Sequence, residues 1–182
     1  DKEKEYYDRL QKTFAVLPLS SERKTTAVMA DVILEKVERL VQRRKGLEEL
    51  CEKLTCERQR AQPYGNFHPA RISSLAKDGI NVRLYRSPAR HPVITPEKSI
   101  LFMINKDKTY HYFVIIGNGD YTSEYEEIQI PEQSLAEIEA TLLRAENEWN
   151  SISREFERMS GEKEVINETL LKTKEKLNYL EV

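Results

Sequence analysis

Residues 135–180 read LAEIEATLLRAENEWNSISREFERMSGEKEVINETLLKTKEKLNYL. Stepping +3, +4 from Leu135 meets Ile138, Leu142, Ala145, Trp149, Ile152, Phe156, Met159, Lys163, Ile166, Leu170, Thr173, Leu177 and Leu180. Twelve of these fourteen positions are apolar. A sustained repeat near 3.5 residues keeps one seam toward a partner helix and implies left-handed supercoiling. The positions between are mostly Glu, Lys, Arg, Asn and Ser, as a solvated face requires. Ser134, with Glu137 three residues on, makes a capping-box start just after Pro131.

Working outward, the same stepping upstream gives Ala30, Ile33, Val37, Leu40, Arg44, Leu47, Cys51, Leu54, Arg58 and Ala61. Leu34, Val41 and Leu50 widen that apolar face. Ser20 or Ser21 can cap the start of this helix after Pro18, and Pro63 with Gly65 ends it. Between the two flanks lie six of the seven Pro, four of the six Gly and all three His. Such residues punctuate loops and strands. The chain therefore divides into a short helix and connection (1–19), a first long helix (20–62), a head (63–133) and a returning helix (134–182). In the first segment Tyr6, Leu10 and Phe14 share a helical face, which is expected to pack on the base of the long pair.

At about 1.5 Å per residue the long helices span roughly 63 and 73 Å, so folding back on each other satisfies both seams. The expected fold class is α+β: a long antiparallel two-helix coiled coil capped by a small α/β lobe with a sheet of about four strands. If Ala61 faces Leu135, seam partners sum to about 196. That sets Leu54 near Leu142, Leu47 near Trp149, Leu40 near Phe156 and Val37 near Met159. Arg44 and Lys163 interrupt the seam, at a cost in stability, and can fix its register.

The head reads as one helix followed by four strands. His68 to Lys77 is a short helix with Pro69 at its first position and Gly79 as its stop. Asn81 to Tyr85 alternates as a strand, and three prolines make 87–97 a loop. Ile100 to Ile104 is a wholly apolar strand. Tyr110 to Ile116 is aromatic and β-branched on both faces, so it should be central. Asn105 to Lys108 turns the chain between those two strands. Gly117-Asn118-Gly119-Asp120 is a stronger hairpin signal, leading to a last strand from Tyr125 to Ile130 with Ile128 and Ile130 inward.

Composition excludes several classes. Of 182 residues, 33% are charged, and the formal net charge of −2 argues against a nucleic-acid polycation. No apolar run approaches the ~18 residues of a membrane helix, and no signal-peptide pattern opens the chain. Two cysteines cannot make a disulfide framework. The first residue is Asp1, so a longer parent protein is expected.

Reactive constellations are not apparent. Cys51 and Cys56 sit about 140° apart around a helix, without a His nearby, which disfavours zinc. His68, His91 and His111 fall on a helix start, a loop and a strand. Gly117 and Gly119 do not open a helix as a phosphate loop would, and Glu126 and Glu127 point to opposite faces of a strand. No catalytic residue, metal ligand, cofactor, nucleic acid or small-molecule substrate is expected. One charge pattern has two readings. Arg71, Lys77, Arg83, Arg86 and Arg90 make the first half of the head basic, and Asp120, Glu124, Glu126 and Glu127 make the second half acidic. This is either an ordinary solvated surface or a dipolar docking face for another protein. Tyr110, Tyr112, Tyr121 and Tyr125 could supply anchors there, although some must be core. The candidate partner-binding residues are Arg83, Arg86, Arg90, Tyr121, Glu124, Glu126 and Glu127.

The junction Pro63-Tyr64-Gly65-Asn66-Phe67, then His68-Pro69, Leu75, Gly79-Ile80 and Val82-Arg83-Leu84-Tyr85, resembles subunit I of prokaryotic V-type ATP synthases. That subunit is the counterpart of eukaryotic V-ATPase subunit a. Tyr64 and Asn66 stand where the family pattern has Trp and Asp. The resemblance covers residues 20–182. It implies the soluble part of a stator protein, with 63–133 as the distal lobe and the first residues as a remnant of the proximal lobe. It further implies a membrane half in the same full-length chain, peripheral-stalk subunits as partners, and a place on the cytoplasmic face of the cell membrane. The parent complex would transport protons or sodium. The other reading considered is a hinge fragment of an SMC-like DNA-repair ATPase, which also sets a small head between antiparallel helices.

Overall fold

The computed structural model describes residues 2–18, 30–119, 121, 122 and 124–180. The helices are α1 (Lys2–Val16), α2 (Ala30–Ala61), α3 (Pro69–Lys77), α4 (Leu135–Arg158) and α5 (Lys163–Leu180). The strands are β1 (Val82–Pro88), β2 (Ile100–Lys106), β3 (Tyr110–Ile116) and β4 (Glu126–Ile128). The architecture is α+β, with a four-stranded antiparallel sheet. Contacts divide the chain into two compact units, residues 1–50 with 145–182, and residues 51–144. The expected caps Ser20 and Ser21, and Asp120, lie outside the described residues. Among the described residues, no helix is long and apolar enough to cross a membrane.

The first unit is helical. Lys36 pairs with Glu155, and Arg43 grips Glu148 with bonds of 2.5 and 2.8 Å. Seven residues forward on α2 match seven residues back on α4, so here the two helices run antiparallel. Ile33, Leu34, Val37 and Leu47 of α2 are buried, as are Ala145, Ile152, Phe156 and Met159 of the returning segment. Each such Ile, Leu, Val or Phe contributes roughly 1.5–3 kcal/mol through burial. Arg44 is no mere interruption. Its guanidinium lies 5.7 Å from the Trp149 ring centre and 5.6 Å from that of Phe156, so the cation rests on aromatic faces.

The returning segment is not one continuous helix. A 3₁₀ turn over Met159–Glu162 separates α4 from α5, with Met159 and Gly161 buried. Ser160 and Gly161 are weak helix formers, and Gly161 leaves room where a side chain would be buried. Past this turn α5 packs against α1. Leu10 and Leu17 are fully buried, and the Tyr6 hydroxyl donates 2.8 Å to Asp31. Lys163 donates 2.7 Å to the carbonyl of Leu17, and its ammonium lies 4.4 Å from the centre of the Phe14 ring. This cation holds the end of α1 instead of interrupting a seam.

The second unit contains the sheet, in the order β2-β3-β1-β4. β3 is central, as its composition predicts, with Phe113 and Ile115 buried. β1 runs three residues further than expected. Pro88 is tolerated there because β4 pairs only with Leu84, Tyr85 and Arg86, so the missing N–H faces no partner on that side.

The expected hairpin at 117–120 is overturned. β4 pairs with β1, not with β3. Both edges of β3 are already taken, by β2 and by seven residues of β1, and the Gly117 amide donates 3.0 Å to Asn81. Residues 117–125 therefore carry the chain across to the free side of β1. The last strand is also shorter than expected, ending at Ile128.

Candidate partner-binding face

The β2–β3 turn is built on Asp107. Its carboxylate accepts 2.7 Å bonds from the amides of Thr109 and Tyr110, and a 2.9 Å bond from the Tyr112 hydroxyl. Those bonds, the Tyr110 and Thr109 amides first, hold its pKa below the ordinary carboxylate range. α3 ends as its sequence predicts, at Gly79 with φ +81. The Ile80 amide reaches back 2.9 Å to Leu75, and that of Gly79 3.1 Å to Ala76, a Schellman closure.

The junction residues tie the lobe together. The hydroxyl of buried Tyr64 donates 2.9 Å to the Tyr85 carbonyl. Asn66 accepts 3.2 Å from the amide of Ala136, an otherwise unpaired donor in the first turn of α4. The capping box forms: the Ser134 amide and hydroxyl donate to Glu137 at 2.8 and 2.6 Å.

The charged candidates are brought together in pairs, but not onto one face. Strand alternation puts Arg86 and Glu126 on one side of the sheet and Arg83 and Glu127 on the other. Arg86 forks onto Glu126 at 2.7 and 2.6 Å and lies 4.6 Å from the Tyr110 ring centre. Arg83 and Glu127 approach to 3.8 Å. Arg90 and Glu124 are exposed. Tyr121 is half-buried, packed on the cluster of Tyr85, Phe113, Ile115 and Tyr125. Tyr125 is core, and its hydroxyl both donates to and accepts from the backbone of Ile94, at 2.8 and 3.0 Å.

Sequence reasoning did not anticipate that the apolar run 100–104 would lie at a sheet edge. There Ile100, Phe102, Met103 and Ile104 are 56%, 52%, 47% and 46% exposed. The sequence signal is the run itself, but only strand order reveals that it lacks a second neighbour. A cleft of about 390 Å³ lies elsewhere in the same unit, where Lys53 is shared between Glu57 and Glu132 at 3.7 and 3.6 Å. Among the described residues no cluster of His, Cys, Asp and Glu could hold a metal.

No protein-family model and no curated protein matches the chain. A solved structure does: the crystal structure of the cytoplasmic N-terminal domain of subunit I, homolog of subunit a, of V-ATPase. The identity is 13%, the TM-score 0.59, and the match covers 97% of this chain and 72% of that one. At that identity the likeness is one of fold, and nearly the whole chain shares it with the V-ATPase subunit I domain.

Proposed function

We propose that this chain is a non-catalytic stator element of a rotary V-type ATPase or ATP synthase. It would link a membrane-embedded, ion-translocating part of its own full-length chain to peripheral stalks, at the cytoplasmic face of the membrane. The observation that carries this reading is the fold likeness to the subunit I domain over 97% of the chain. The junction at residues 63–69 supports it, since Tyr64 and Asn66 bond to β1 and to the start of α4. In this reading α2 and α4 form an antiparallel coiled coil that resists bending, with residues 63–133 as the distal lobe. Rotor torque would be lost if the membrane part turned with the rotor. A stiff rod with specific contacts at its ends prevents that.

Docking would use the charged groups of the lobe for orientation and on-rate. Arg90 and Glu124 are exposed, as are Glu126 and Glu127, which with their partners Arg86 and Arg83 would form a rim. The test mixes the chain with purified peripheral-stalk subunits. Binding that weakens on charge reversal at Arg83, Arg86, Arg90, Glu124, Glu126 and Glu127 is the expected result. No binding, or binding indifferent to the reversal, counts against docking through these charges.

A further inference from the structure

The loop between β1 and β2 is tied down by its own hydrogen bonds. The Tyr125 hydroxyl donates to the Ile94 carbonyl and accepts from its amide, and the Ser99 hydroxyl donates 2.7 Å to the Pro96 carbonyl. Between this loop and residues 121–125 lies an open cleft of about 800 Å³. Because Tyr125 joins the two walls, the cleft has its shape before anything enters, which lowers the entropic cost of binding.

The chemistry of the cleft selects an occupant. Ser87 lines it and is only 2% exposed, and its hydroxyl has no hydrogen-bond partner among the described residues. A buried polar group left unpaired is costly, and an incoming N–H donor would relieve that cost. Glu97 and Glu124 line the same cleft and are exposed, and neither carboxylate forms an ion pair among the described residues. No Lys or Arg lines it: Arg90 instead borders a separate hollow with Lys108, and Lys98 follows Glu97 without reaching the cleft wall. Pro92, Pro96 and Ile94, the last 68% exposed, give an apolar wall, and half-buried Tyr121 gives an aromatic one. The occupant must therefore carry positive charge, several N–H donors and an apolar stem.

We propose that this cleft receives an arginine side chain from a partner protein. The stem lies along the apolar wall and the planar head against Tyr121. Its N–H groups go to the carboxylates of Glu97 and Glu124 and to the Ser87 hydroxyl. Lysine would match the charge but has no planar head to lay on the ring. The inference rests on the stator reading only for the partner's identity, a peripheral-stalk subunit. Two probes test it by NMR titration and binding measurements. One is the purified stalk subunit. The other is a capped three-residue peptide with arginine at its centre, compared with the same peptide carrying citrulline, the uncharged isostere. The expected result is amide shifts centred on Ser87, Ile94, Glu97 and Tyr121 with the arginine peptide. Binding of both stalk and arginine peptide should weaken about tenfold or more in the Glu97→Gln/Glu124→Gln double variant. Both positions are exposed, so the variant should keep its fold, as unperturbed core resonances would report. Stalk binding unchanged in that variant overturns the cleft as a docking point and leaves the stator reading standing. An arginine peptide that binds in the cleft while the stalk does not bind at all overturns the stator reading and leaves the cleft standing. No shifts in the cleft, or equal affinity for the citrulline peptide, overturns the proposal.

Discussion

The Tyr64 hydroxyl donates a 2.9 Å hydrogen bond to the backbone carbonyl of Tyr85, joining the end of the first long helix to the middle of β1. The ring of Tyr64 also meets that of Tyr112 edge-on at 5.8 Å. Tyr64→Phe keeps the ring and deletes the bond, leaving the carbonyl short of a partner. A loss of about 1–3 kcal/mol is expected. It should appear as a lower urea midpoint with an unchanged m-value. An unchanged midpoint would show that the bond contributes nothing net.

The tyrosines also set the alkaline limit. Burial pushes the Tyr64 hydroxyl well above its ordinary range. Burial, then the bond to Asp31, pushes Tyr6 up to about 12. Folded pKa values raised above the unfolded value of about 10 mean that the folded state holds these protons more tightly. Their stabilisation is complete below about pH 10 and is lost as pH rises through the folded values. Tyrosinate absorbance should rise in two stages, the later one coinciding with loss of structure by circular dichroism. A single stage near the ordinary value, with the fold intact, would contradict this.

The capping box gives an acid-side counterpart. Ser134 holds the Glu137 carboxylate with its hydroxyl and then its amide, lowering the Glu137 pKa. A lowered folded pKa gives stability that is present above the unfolded pKa and lost as pH falls through the folded one. Ser134→Ala should cost about 1 kcal/mol at neutral pH. It should also flatten the acid arm of the stability–pH curve. An acid arm identical to that of the parent chain would show that the cap does not act in this way.

Much of this was legible in the sequence, and the failures have particular causes. The Ser134–Glu137 box, the Gly79 stop and the central place of Tyr110–Ile116 follow from local chemistry, and the structure agrees with each. The hairpin at 117–120 failed because a turn signal reports local backbone preference, whereas pairing depends on which strand edges remain free. β1 had filled the second edge of β3, and that is a long-range fact. The exposure of Phe102 was hidden for the same reason: an apolar strand reads alike at a sheet's centre and at its edge. The heptad spacing, apolar on both sides of Lys163, concealed the 3₁₀ turn, because apolar spacing persists through a change of helical pitch. The charged candidates were read as two blocks along the chain, and strand alternation then split Arg83 from Arg86.

Lys163 shows what that turn positions. Its ammonium reaches the Leu17 carbonyl at 2.7 Å and lies over Phe14, so Lys163→Met should loosen the end of α1 without unfolding the lobe. Hydrogen exchange should quicken in residues 10–17 and stay unchanged in β1 and β3. Equal protection of α1 in both proteins would mean that apolar packing by Leu10 and Leu17 holds it alone.

The most direct test of the stator account is to affinity-tag the native gene product and purify it from detergent-solubilised membranes. The account predicts that the tag brings down a membrane complex with ATP-hydrolysing activity and peripheral-stalk subunits in fixed proportion. Recovery of the tagged protein from the soluble fraction, free of stalk subunits and of that activity, would contradict it.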